Sequence, residues 1–295
     1  MRIAIISDIH ANLIALEAVL ADIAATGADQ IVCLGDICGY GPQPNECIDL
    51  VRTRCAWSLR GNHDEALFSP PFGFSSHARA ALEWQRALLQ PTPQSPAPQA
   101  ERWNWLRGLT AERLEHDILY VHASPRDSLY EYVLAEDFRD PLTPGHGNGA
   151  ALFGAIKWLC FCGHSHRPGI VGQDFKWHVP ADIPAEGMPL PGDSKTIVNV
   201  GSVGQPRDGN PAACFGLLEL GLEQPPPAAK TATIPPKLTH NPGLTETHFN
   251  TKYIRRTTVR ISLRRVPYDV AQAQARFRAV PQLPAYNAER LATGK

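Results

Sequence analysis

The strongest pattern along the chain is a series of short apolar runs, each closed by a polar cluster. Residues 2–6 (RIAII) are rich in β-branched side chains and stop at Ser7 and Asp8, as a short buried strand would. Leu13, Leu16, Leu20 and Ile23 then recur at helical spacing up to Gly27, which predicts a helix over 13–25. A strand over 30–34 (QIVCL), a helix near 45–53 behind Pro42 and Pro44, and a third strand over 56–59 follow. This β-α-β-α-β opening predicts an α/β fold with parallel strands.

The middle of the chain is less regular. Residues 77–89 have a helical pattern, 91–98 (PTPQSPAP) form a Pro-rich loop, and 101–109 form a short helix carrying Trp103 and Trp105. Strands are expected over 117–121 (DILYV) and 158–162 (WLCFC), and near 169–177, 195–200 and 212–220. Residues 221–250 are Pro-rich and aperiodic, which predicts an exposed insertion within a single domain spanning 1–295; residues 91–100 are expected to be a second, smaller one. Beyond it Val259, Ile261 and Leu263 alternate with Arg260, Ser262 and Arg264, the period of a half-buried strand, and the tail from Asp269 is helical in pattern.

Composition narrows the function classes. The formal net charge is −1, which argues against a nucleic-acid partner, since such binding rests on many Lys/Arg–phosphate contacts. The basic run from Lys252 to Arg265 is read as the solvated face of an amphipathic strand. Seven cysteines without a CxxC pair fit buried, reduced thiols of a cytosolic protein. Cys160 and Cys162 flank Phe161, so both are expected to face the same side. The first apolar run is too short for a signal peptide, and no run approaches the ~20 residues of a membrane span. The expected compartment is the cytoplasm, with no membrane partner.

The candidate chemistry lies where the apolar runs end. Ile3–Ile6 leads to Asp8 and His10, Ile31–Leu34 to Asp36, Trp57–Leu59 to Asn62 and His63, Ile118–Val121 to His122, and Trp158–Cys162 to His164 and His166. In open α/β sheets ligands gather beyond the carboxyl ends of the strands, so parallel strands would bring these five ends together. Two carboxylates, an amide and several imidazoles suit Mn, Fe or Zn, and they are too many for one tetrahedral ion. Two divalent transition-metal ions sharing a carboxylate would use them, the arrangement that clamps an in-line displacement at phosphorus.

The series SDIH (7–10), GD (35–36), GNHD (61–64), VH (121–122) and GHSH (163–166) resembles the five-motif signature of the calcineurin-like metallophosphoesterases. GDICGYGPQPNECIDL (35–50), VHASPRDSLYEYV (121–133), NVGSVGQPRDG (199–209) and RRVPYD (264–269) further resemble a small bacterial phosphodiesterase-type branch. The resemblance covers most of 1–220 and the last strand and helix. It implies a four-layer αββα sandwich, two mixed β-sheets flanked by helices. It implies that Asp8, His10 and His166 hold one metal, that Asn62, His122 and His164 hold the other, and that Asp36 bridges. It implies attack on phosphorus by a metal-bridging hydroxide, with His63 assisting the leaving oxygen rather than binding metal. The substrate would be a small phosphodiester or phosphomonoester; an alternative is a dinucleoside polyphosphate.

Arg60, two residues before Asn62, is a candidate phosphate contact, because a guanidinium matches phosphate oxygens bidentately. Arg126 and Arg207 are similar candidates, each beside an Asp that could instead pair with it. His77, His116, His146, His178, His240 and His248 are read as surface or structural, and Trp103 and Trp105 as packing. A scaffold of the same fold, like the retromer subunit, departs from the motif set, whereas here every motif position is filled. Repair nucleases of the same superfamily carry large added DNA-binding parts and often a basic cleft, which a short chain of near-zero net charge does not show.

Overall fold

The computed structural model describes residues 1–139, 147–192, 194–222 and 256–295. Among these, twelve strands form two six-stranded mixed sheets. The first contains β1 (Arg2–Ile6), β2 (Gln30–Cys33), β3 (Trp57–Ser58), β9 (Met188–Pro189), β11 (Ala213–Leu222) and β12 (Arg256–Val266), in the order β3-β2-β1-β11-β12-β9. Its first three strands run parallel, and β11 joins β1 antiparallel. The second contains β4 (Glu112–Glu115), β5 (Ile118–Val121), β6 (Leu159–Cys162), β7 (Gly169–Gly172), β8 (Trp177–His178) and β10 (Thr196–Asn199), in the order β4-β5-β6-β10-β7-β8. Here β5, β6 and β10 are the parallel trio.

The layers follow from the two-residue period of the strands. In β1, Ile3 and Ile5 face the second sheet, while Ala4 and Ile6 face helices. In β6, Leu159 and Phe161 enter the space between the sheets, while Cys160 and Cys162 face Leu152 and Phe153. The two cysteines thus share a face, as their spacing implies. Val259, Ile261 and Leu263 of β12 also point between the sheets. Outside the first sheet pack α1 (Leu13–Thr26), α2 (Pro44–Arg54), α4 (Ser76–Leu89) and α5 (Ala97–Arg107); the short α3 (Asn62–Glu65) follows β3, α6 (Gly149–Gly154) covers the second sheet, and α7 (Val270–Arg278) packs on Ile14 of α1. The result is the expected four-layer sandwich.

Several elements depart from the sequence pattern for identifiable reasons. α5 starts at Ala97, inside the expected loop, because prolines are tolerated in a first helical turn. Its Trp103 packs edge-on to Phe68, with ring centres 4.5 Å apart, so it is a core residue. The expected strand over 169–177 is two, β7 and β8, joined by a turn in which Phe175 is left-handed. β4 lacks apolar alternation because it is an exposed edge strand. Residues 223–250 of the expected insertion lie outside the described residues; Gly221 and Leu222 end β11. All seven cysteines are unpaired, and all but Cys55 are buried. No described helix is long and apolar enough to cross a membrane. Arg260 and Arg264 lie on the polar face of β12, where Arg264 pairs with Asp22 at 2.9 Å.

The core between the sheets holds the two halves of the molecule in register. Phe161 is fully buried there and stacks on Tyr120 at 5.5 Å. Phe161→Ala should therefore destabilise by about 3–5 kcal/mol in chemical denaturation. Leu114→Ala, on the exposed edge, should change stability by less than about 0.5 kcal/mol. Equal effects would contradict the inter-sheet core.

Candidate active site

Five of the parallel strand ends named by the sequence meet at one point, three from the first sheet and two from the second. The loops beyond them are stitched by backbone hydrogen bonds. Asp8 N–H donates to Gly35 O at 3.0 Å, His10 N–H to Asp36 O at 2.9 Å, Gly163 N–H to His122 O at 2.8 Å and Gly204 N–H to Asp8 O at 2.9 Å. Approach this close excludes side chains at the contact points. A Cβ on Gly61 would overlap the Asp36 carboxylate, and one on Gly163 would overlap Ser7 Oγ and Asp8 Oδ2. Asp8, His10, Asp36, His164 and His166 themselves have φ between 50° and 61°. That left-handed backbone costs a residue with a Cβ roughly 1–2 kcal/mol, so the surrounding packing imposes it.

The side chains are fixed from behind. His10 Nδ1 donates to Cys38 O at 3.0 Å, His122 Nδ1 to Leu34 O at 3.1 Å and His166 Nδ1 to Gln205 O at 2.5 Å. Each of these rings therefore turns Nε2 toward the centre, where it carries a lone pair whenever the ring is neutral. His164 is turned the other way: its Nε2 donates to Tyr130 O at 3.1 Å, leaving Nδ1 free for the centre. The carboxylates are held in the same manner. Asp8 Oδ2 accepts from His164 N–H at 2.9 Å, and Asp36 Oδ1 from His63 N–H at 2.8 Å. Asp8 Oδ1 is buried and accepts no hydrogen bond.

The inward atoms crowd into groups that could hold a metal ion. His10 Nε2 and His166 Nε2, both lone-pair donors, lie 3.0 Å apart. Asp8 Oδ1 is 3.2 Å from His166 Nε2. His122 Nε2 faces Asn62 Oδ1 at 3.0 Å and Asp36 Oδ2 at 3.4 Å. Asp8, His10 and His166 form one set of mutually close donor atoms, and Asp36, His122 and His164 another. All are buried. The donor set fits a first-row divalent metal, being imidazole, carboxylate and amide without thiolate.

The electrostatics agree. Burial alone would raise Asp8, but the His166 imidazole beside it holds the carboxyl well below the usual range. Burial would lower His122, yet the Asp36 carboxylate outweighs it and pushes the imidazole up to about 9. The protein thus favours positive charge between His122 and Asp36. Burial lowers His10 well below its usual value and His164 to about 3, so these two stay neutral.

His63 lies against the cluster, with its ring centre 4.8 Å from that of His10 and 4.6 Å from that of Tyr40. Its donor atoms also fall close to those of His10 and Asp36. Burial lowers it to about 4 against the pull of Asp36, with Arg207 adding to the effect. It is therefore neutral near pH 7, and its Nδ1 is buried without a hydrogen-bond partner.

Of the three candidate arginines, the structure brings one to the site. Arg60 is tied away by Glu65 at 2.6 Å and by the carbonyls of Arg107 and Leu109 at 2.6 and 2.7 Å. Arg126 pairs with Glu131 rather than with Asp127. Arg207 lines the cleft, donating to Tyr40 Oη at 3.2 Å and Gln205 Oε1 at 2.8 Å, while its neighbour Asp208 pairs with Arg265. Sequence reasoning did not find Tyr40, Tyr130, Tyr132, Tyr286 or Arg290, which line the same cleft of about 560 Å³. His77, expected to be surface or structural, lines it too and packs on Tyr286 at 4.7 Å. His146, His240 and His248 lie outside the described residues.

Two buried polar residues brace the loops. The Asp64 carboxylate accepts from Cys38 N–H at 3.0 Å and Gly61 N–H at 3.1 Å, clamping the turn after β2 to the turn after β3. Gln85 of α4 accepts from Gly39 N–H at 2.7 Å and donates to Gly41 O at 2.6 Å. Asp64 was visible as the last residue of GNHD; nothing in the local sequence marked Gln85.

Residues 1–168 match the family model described as calcineurin-like phosphoesterase. An uncharacterized protein of Methanocaldococcus jannaschii is 33% identical over 225 residues, 74% of this chain and 82% of that relative. The crystal structure of a metallophosphoesterase from Sphaerobacter thermophilus is 34% identical, superposes with a TM-score of 0.70 and covers the whole of both chains. A hypothetical protein from Pyrococcus horikoshii shares the fold, with a TM-score of 0.65 at 17% identity over all of this chain and 98% of that one. The five motifs, the strand ends that present them and these likenesses agree, and the chain belongs to the calcineurin-like phosphoesterase family.

Proposed function

We propose that this chain hydrolyses small phosphodiesters or phosphomonoesters with two divalent transition ions, Mn, Fe or Zn. The observation that carries the reading is the position of Asp36. Its Oδ2 lies 3.6 Å from His10 Nε2 and 3.4 Å from His122 Nε2, between the two sets of donor atoms. Asp8, His10 and His166 would hold one ion, Asn62, His122 and His164 the other, with Asp36 shared. When bound, such ions lower the pKa of water to make a nucleophile and offset charge on the phosphoryl oxygens.

The remaining roles belong to the protein's own side chains. Arg207 adjoins the cluster and is suited to a phosphoryl oxygen, since a guanidinium binds such oxygens through paired N–H donors. His63, being neutral, assists the leaving oxygen by donating an N–H hydrogen bond, and Asp36 fixes its backbone. Tyr40 packs against both His10 and His63 and accepts from Arg207, so it positions all three. The cleft volume suits a small-molecule substrate.

The shared role of Asp36 is testable by metal analysis. Asp36→Ala should weaken both ions, whereas Asn62→Ala should spare the first, read as ions per chain after dialysis. Saturation of the unaltered protein at one ion would contradict the dinuclear reading, as would equal losses from the two variants. His63→Asn should keep both ions and slow turnover about 10²–10⁴-fold for alkoxide leaving groups. The loss should be smaller with nitrophenolate, which needs little assistance. An ion lost with His63 would make it a ligand.

A further inference from the structure

Arg290 is a cation placed at the cleft by a part of the chain that carries none of the metal motifs. It follows α8 (Ala285–Glu289) and is half-buried. Its guanidinium carbon lies 5.9 Å from the Tyr40 ring centre and 5.3 Å from the Tyr286 ring centre. Arg207 reaches the same Tyr40 ring at 5.6 Å. Two guanidinium groups therefore share one tyrosine. Among the described residues Arg207 forms no ion pair with an Asp or Glu side chain, although Arg2, Arg60, Arg102, Arg113, Arg126 and Arg264 all do.

Like charges held this way oppose each other. Burial lowers the affinity of Arg290 for its proton, and Arg207 adds to that effect. The only hydrogen bond of the Arg290 guanidinium among the described residues is from Nε to Lys295 O, at 2.5 Å. Both Nη groups are left without one.

The segment is nevertheless held firmly. Asn287 is fully buried and donates to Tyr40 O at 3.3 Å and His77 O at 3.4 Å, and Leu291 is buried. Gly209 N–H donates to Gly294 O at 2.8 Å, which ties the segment to the loop carrying Arg207. Two fixed guanidinium groups lining one cleft, with the Nη groups of Arg290 unbonded among the described residues, make a site for an anion.

The two arginines have different neighbours. Arg207 acts on His63 and His166 and so adjoins the cluster. Arg290 lies against Tyr40 and Tyr286, with Tyr132 nearby. A phosphoryl group reacting at the cluster would meet Arg207, leaving Arg290 for something further out on the same molecule.

We infer that Arg290 binds a second anionic group of the substrate, phosphoryl or carboxyl, so that the cleft selects phosphate esters bearing two anionic groups. This rests on the phosphoesterase reading above, with the reacting phosphorus at the metal cluster. Arg290 is a specificity residue here, acting mainly on substrate affinity.

The test uses 4-nitrophenyl phosphodiesters whose second ester arm is a short alkyl chain ending in hydroxyl, carboxylate or phosphate. The leaving group is constant, and the full chain is used with Mn in excess. The unaltered protein should favour an anionic arm over the hydroxyl arm by about 10–100-fold in kcat/KM, mostly through KM, as expected for charge-assisted hydrogen bonds. The carboxylate and phosphate arms show which anion fits. Arg290→Gln should reduce the preference to within about 3-fold, and Arg290→Lys, which keeps a point charge but not the fork, should retain part of it.

A second readout needs no turnover and no substitution. Phenylglyoxal modification of Arg290, located by peptide mass spectrometry, should slow several-fold with an anionic-arm compound present and not with the hydroxyl-arm compound. Equal rates on all three arms, or a preference that survives Arg290→Gln, would overturn the inference. If no arm is hydrolysed but Arg290 is still protected, the phosphoesterase reading fails and the anion subsite stands. Neither hydrolysis nor protection would overturn both.

Discussion

The structure depends on burying carboxylates, an amide and imidazoles together at the junction of two sheets. Such groups are costly away from water unless every polar atom has a partner. Here the outward atoms are satisfied by backbone: Cys38, Leu34 and Gln205 carbonyls for three imidazoles, and His164 and His63 N–H groups for two carboxylates. What remains points inward, where lone pairs meet at 3.0 Å. These inward atoms form the groups that could hold a metal ion.

This constraint explains features of the scaffold that otherwise look unrelated. The parallel strands are short, because their ends must stop at a common level and hand over to tight turns. Those turns place ligands in left-handed backbone that a free peptide would avoid. Asp64 and Gln85 hold two of them by hydrogen-bonding backbone that has no strand partner. The core between the sheets, with Phe161 on Tyr120, sets the distance at which the second sheet delivers His122, His164 and His166 to the first. Stability and metal affinity are coupled through this geometry, since a metal that binds only the folded arrangement also stabilises it.

The cleft outside the cluster has a different character. Its walls include tyrosines and two arginines, supplied by loops and by the C-terminal segment. Tyr40 joins the two regions: its ring packs on His10 and His63 and also lies close to the guanidinium groups of Arg207 and Arg290. Chemistry and recognition are thus built from separate parts of the chain that share one ring. Loops of this kind vary more freely than the strands that carry them, which allows one metal centre to serve different esters.

The sequence by itself determined the candidate ligands, their order and the strand ends that present them. Those are local facts: an apolar run must stop, and what stops it here is Asp8, Asp36, Asn62, His122 or His164. It also determined which faces of β6 and β12 are apolar, because alternation is a local period. Alternation alone did not divide the five ends between two sheets, since pairing between β1 and β11 or β6 and β10 joins residues far apart in the chain; the motif resemblance is what implied two mixed sheets. Nor did it separate Arg207 from Arg60 and Arg126. All three sit in similar turns, and only packing placed Glu65 against Arg60 and Glu131 against Arg126 while leaving Arg207 at the cleft. Arg290 carried no signal at all. Its position is set by Asn287 and Gly294 docking on loops some eighty residues or more earlier in the chain, and a charge acquires a role only from what the tertiary structure puts beside it.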